Sequence, residues 1–109
     1  MNQDELATLL FAAAQSRAAS RGLRLGDGAH HQIRYFADQG ASRILAQSPN
    51  ADAATPVVSE AAKAFDRLID EMASAASTIP GYESLHPNVI GEQTLAAAMS
   101  KLCPLFPIC

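Results

Sequence analysis

Apolar residues recur along this chain in four helical registers, most regularly over residues 57–79. There Val58, Ala61, Ala62, Phe65, Leu68, Ile69, Met72, Ala76 and Ile79 stand three and four residues apart. That spacing places them on one stripe of a 3.6-residue turn. Glu60, Lys63, Asp66, Arg67, Asp70, Glu71 and Ser74 fill the complementary face. Thr55 before Pro56 supplies an N-cap and a first helical residue, and Pro80-Gly81 stops the run.

A weaker version of the same pattern predicts a helix over 4–21, with Leu6, Leu9, Leu10, Ala13, Ala14 and Ala18 inward and Gly22 as its stop. A second is predicted over 29–47, with Ile33, Phe36, Ala37, Gly40, Ile44 and Leu45 inward. The last runs from Val89 or Gly91 to Leu102. Between them, 23–28 reads as a turn, 48–54 as a linker and 80–88 as a loop rich in turn formers. Pro104 and Pro107 forbid further helix, which leaves Leu105, Phe106 and Ile108 in an extended apolar tail over 103–109.

The expected fold is therefore all-α, an antiparallel bundle of four helices with that tail, in a single domain over 1–109. Its plan is a hairpin over 4–47, the linker, and a hairpin over 55–102. β-branched residues are few and never alternate, so no sheet is expected. Of the 109 residues, 49% are hydrophobic but only 6% aromatic, and about one in five is alanine. Alanine favours helix and lets helices approach closely while burying little area.

The net charge of −3 is unevenly spread. Residues 1–48 set Arg17, Arg21, Arg24, Arg34 and Arg43 against Asp4, Glu5, Asp27 and Asp38, about +1. Residues 49–109 set Lys63, Arg67 and Lys101 against Asp52, Glu60, Asp66, Asp70, Glu71, Glu83 and Glu92, about −4. An acidic half argues against nucleic acid, whose phosphates need a clustered cationic surface. It suits a basic protein partner. The acidic start Met1-Asn2-Gln3-Asp4-Glu5 is unlike a signal peptide, and no apolar run reaches membrane-spanning length, so a cytoplasmic protein without a membrane partner is expected.

No pattern declares a reaction. His30 and His31 are adjacent and point about 100° apart on a helix, which does not suit one metal. Asp27, four residues before His31, offers an orienting carboxylate, the basis of a less favoured enzymatic or metal-binding reading. His86 precedes Pro87 in a loop. Cys103 and Cys109 make no zinc site alone, although they can close a small loop on oxidation. No catalytic residue, metal ligand or cofactor is assigned.

The segment 65–93 carries an apolar helix from Phe65, then Pro80-Gly81-Tyr82-Glu83, Leu85, and Ile90 and Gln93 opening a second helix. It resembles the hairpin of small helical immunity proteins that protect bacteria against NAD-degrading toxins delivered by type VI secretion. The resemblance covers about the last 40 residues, and here the hairpin stands at the C-terminal end rather than the start. It implies a cytoplasmic helical protein that occludes its cognate toxin.

These readings converge on a non-catalytic protein-binding module. Asp66, Asp70 and Glu71 on the third helix, with Tyr82 and Glu83 in the loop after it, are the expected partner-binding residues. The acids would steer the encounter and the tyrosine would anchor it. The alternative is a structural or regulatory homodimer formed through Leu105, Phe106 and Ile108.

Overall fold

The computed structural model describes residues 1–78 and 89–102 of the chain. These are mostly helical: α1 is Gln3–Ser20, α2 Asp27–Gln47, α3 Pro56–Ala76 and α4 Glu92–Leu102. Two short strands, β1 (Arg24–Leu25) and β2 (Val89–Ile90), pair in parallel, with Arg24 opposite Val89 and Leu25 opposite Ile90.

Local chemistry accounts for most of the helix ends. Asn2 caps α1, its side chain accepting from the Glu5 N–H at 2.8 Å while Glu5 accepts from the Asn2 N–H at 3.2 Å. That reciprocal box satisfies two N–H groups which an uncapped helix leaves without a partner. At the other end Gly22 takes φ +69°, and the Leu23 N–H bonds back to the Ala18 carbonyl at 2.9 Å. The left-handed residue closes the helix as expected of glycine there. Thr55 stands before Pro56, but its hydroxyl serves the preceding turn instead of the helix. It accepts from the Asp52 N–H at 2.9 Å, and Asp52 Oδ1 accepts from the Ala54 N–H at 2.9 Å. Helix α2 runs unbroken through buried Gly40.

The turn expected over 23–28 is replaced by β1 and the first residues of α2, and the expectation of no sheet is corrected to one small ladder. Two residues per strand are too few for alternation to show in the sequence. The ladder holds because glycine follows each strand. The Gly26 N–H donates to the Ile90 carbonyl at 2.8 Å, and a Cβ on Gly26 would meet Val89 Cγ1 at 3.3 Å. Gly91 opens α4 through Thr94, whose fully buried hydroxyl accepts the Gly91 N–H at 3.1 Å and donates to the Gly91 carbonyl at 2.7 Å. Both halves thus repeat one plan of helix, two-residue strand, glycine, acidic residue and helix.

The principal contacts join α1 to α2, α1 to α3, and α3 to α4, while α2 touches α3 and α4 only slightly. Helices α1 and α2 are antiparallel, since Asp4 and Thr8 near the start of α1 meet Arg34 while Phe11 meets His30. Helices α1 and α3 run the same way. The Met1 amine donates to the Ala51 carbonyl at one end, and Arg17 and Arg21 reach Asp70 toward the other. The central contact therefore lies between two co-directional helices, one from each half, and not between α2 and α3, which are consecutive in the chain.

One buried cluster draws on all four helices. Phe65, Leu68, Ile69 and Met72 of α3 are at most 1% exposed, as the stripe requires. Each such side chain contributes on the order of 1.5–3 kcal/mol through its burial. Phe11 joins them at 6% exposure although it lay outside the expected inward set, while Leu9, Phe36, Leu45 and Ala62 pack only partly buried at its edge. Ile79, the loop 80–88 and the tail 103–109, with Tyr82, Glu83, Cys103, Leu105, Phe106, Ile108 and Cys109, lie outside the described residues.

Candidate functional site

Position on α3 sets Glu71 apart from Asp66 and Asp70, the two acids it was expected to act with. Asp70 faces α1, where Arg17 Nε and Nη2 donate to its two oxygens at 2.9 Å each and Arg21 Nη1 donates at 2.8 Å. The Arg17 hydrogen bond holds its carboxyl below the usual carboxylate range, with Arg21 adding to the effect against the opposing cost of partial burial. The same pair raises the Arg17 guanidinium above its ordinary value. Asp70 is thus a tie between the two central helices, with its charge met inside the molecule.

Asp66 lies half-buried on the same side, close enough to favour the charged form of Arg17. Glu71, one residue beyond Asp70 and so about 100° round the helix, lines a cleft with Ser74, Ala75 and Thr78 of α3 and Ala97 and Ala98 of α4. Lys63, exposed on the outer side of α3, pairs with Glu60 at 3.6 Å. The outer surface of α3 is consequently mixed in charge. The acidic patch expected from the sequence is divided between two directions, Asp66 and Asp70 toward α1 and Glu71 toward α4, and Tyr82 and Glu83 are outside the described residues.

The histidines do not form a shared site. The His30 ring meets Phe11 edge-on, centroids 4.8 Å apart at 74°, while His31 and Asp27 are exposed. Among the described residues, no group of three or more His, Cys, Asp or Glu side chains could hold a metal ion. No helix among them is long and apolar enough to cross a membrane.

A different surface stands out on α2. Its core face carries Ala29, Ile33, Ala37, Gly40, Ala41 and Ile44, all buried. On the opposite side Gln32, Tyr35, Gln39, Ser42 and Ala46 are all exposed, and none is charged. Tyr35 is 52% exposed, the largest fraction among the big hydrophobic side chains described, and its ring stacks edge-on against Phe36 with centroids 5.9 Å apart. Arg43, exposed, borders this stripe one turn after Gln39, and Asp38 flanks it on the other side. Arg34 is half-buried, 5.9 Å from the Phe11 ring centroid, and bonds to Asp4 at 3.2 Å with Asp38 4.0 Å away. The register of α2 announced this outer stripe, because residues opposite Ile33, Ala37 and Ile44 must face water. Phe36 beside it, expected inward, is half-buried.

Comparison of the chain with family models, with curated proteins and with solved structures finds no match.

Proposed function

We propose that this chain is a non-catalytic protein-binding module of the cytoplasm, its four packed helices holding one face rigid for a partner. The observation that carries this reading is Tyr35, more than half exposed in the middle of an uncharged stripe on a helix whose other side is locked into the core. A rigid amphipathic ring loses little conformational entropy on docking and is enriched at interface hot spots. The flanking Gln32, Gln39 and Ser42 offer hydrogen bonds without the desolvation cost of a charge.

The resemblance of 65–93 to small helical immunity proteins names the first partner to try, a toxin that degrades NAD. Such a partner would dock through Tyr35, with Asp66 and Glu71 on α3 and Tyr82 and Glu83 in the loop after it as the secondary region. Capture of a partner by immobilised protein, followed by its dissociation rate, tests the assignment. Tyr35→Ala should speed dissociation at least tenfold, corresponding to a hot-spot loss of about 1.4 kcal/mol or more. A joint Asp66→Lys, Glu71→Lys variant should change it much less. The reverse ranking would return the interface to α3.

A further inference from the structure

The exposed stripe on α2 has the spacing of a seam between helices. Gln32, Tyr35, Gln39, Ser42 and Ala46 follow one another at three, four, three and four residues, the a and d positions of a heptad. Positions so spaced stay in line beneath a second helix that crosses at a shallow angle, about 20°. Bulk is graded along the seam, with Tyr35 near its start and Ser42 and Ala46 at its end. At that end Ala46 also lines a groove of about 630 Å³ between the end of α2 and Val57, which is 43% exposed. Exposed Glu60, one turn on from Val57, pairs with Lys63 at 3.6 Å, so the apolar wall stops at Val57. Opposite charges rim the seam. Asp38 stands on one side, 4.0 Å from Arg34, and exposed Arg43 on the other, where it lines the groove.

We propose that the partner of this face docks through one amphipathic helix laid antiparallel to α2, with its first turns over the groove. The inference rests on the protein-binding reading of α2 and names the element that the face receives. Charge sets the direction. An acid in the partner's first turns meets Arg43, whose five N–H donors accommodate a carboxylate beside the contact it makes within the chain. A lysine or arginine further along meets Asp38. A helix favours that order of charges on its own account, and the antiparallel direction brings its positive end to the negative end of α2. Size sets the register, because large apolar side chains fit over Ser42 and Ala46 and into the groove while a small one faces Tyr35. From Gln32 to Ala46 is about 21 Å at 1.5 Å per residue, which a helix of about four turns covers. A second copy of α2 laid in this direction and centred on Gln39 would set Asp38 against the same aspartate of the copy, a like-charge contact.

The test uses the full chain and two designed peptides of one composition and about fifteen residues, each with a complementary seam of leucine and alanine. One carries glutamates in its first two turns and lysines in its last two; the other carries the reverse. Amide resonances should shift at 32–46 and at 57, with the acid-first peptide binding at least about fivefold tighter. An Asp38→Lys, Arg43→Glu variant should bring that ratio to one or below. A ratio left unchanged would reflect only the peptides' own helicity and overturns the proposal. A spin label on the first residue of the acid-first peptide should broaden 43–48 and 57 of the parent and spare 27–32. The opposite pattern, shifts elsewhere, or no binding by either peptide also overturns it. If neither peptide binds yet a captured partner still leaves Tyr35→Ala faster than the parent, the helical occupant falls and the protein-binding reading stands. Equal dissociation from the parent and Tyr35→Ala removes that reading itself.

Discussion

Asp70 shows how one residue's surroundings alter what its sequence position suggests. Read along the chain it belongs to an acidic run; in the fold it receives three hydrogen bonds from two arginines of α1. Its folded pKa lies below the ordinary carboxylate value, near 3.9 in an unfolded chain, so the unfolded state holds more protons between the two. Stability from this tie is therefore complete above about pH 5 and is lost as pH falls through the folded value. Asp70→Asn should cost about 0.5–1 kcal/mol near neutral pH, the modest sum for a pair about a third exposed, and should flatten the acid limb of a stability–pH curve. Concentrated salt should shrink the difference between parent and variant. Urea melts at a series of pH values check both. An unchanged acid limb would mean that the two arginines do not hold the carboxylate in solution.

At the scale of elements, the helices were legible because their signals repeat. The stripe of α3 returns every three or four residues through five turns, and Leu68 is fully buried as that register demands. Leu68→Ala should accordingly cost about 2–5 kcal/mol in chemical denaturation, with a loss under about 0.5 kcal/mol contradicting the packing. The ladder was not legible, because Arg24-Leu25 and Val89-Ile90 are too short for any period and pair across more than sixty residues of chain. Glycine was the available sign. Leu25-Gly26-Asp27 and Ile90-Gly91-Glu92 share one order of residue types, and Gly26 lies where a side chain presses on Val89. Gly26→Val should therefore destabilise by about 1–3 kcal/mol, the usual cost of overpacking, while leaving helix content by circular dichroism nearly unchanged. Loss of most of the helical signal would show instead that the ladder organises the whole fold.

On the scale of the whole molecule, charge and shape assign different surfaces. The acids that dominate residues 49–109 in the sequence are dispersed by the fold, with Asp70 turned to α1 and Glu71 toward α4. What the fold gathers is the uncharged stripe Gln32, Tyr35, Gln39, Ser42 and Ala46 on the outer side of α2, bordered by Arg43. Binding through that side should depend weakly on ionic strength, in contrast to an encounter steered by acids. Tyr35→Ala should leave the melting temperature within about a degree or two of the parent, since a surface substitution away from caps and core changes stability by about 0.5 kcal/mol or less. The most direct measurement places a photo-crosslinking amino acid at position 35 in cells, with position 12, an exposed alanine of α1, as the control. The protein-binding account predicts a discrete adduct with a second kind of protein from position 35 and none from position 12. Equal labelling at both positions, no adduct at all, or an adduct only with another copy of this chain would contradict it.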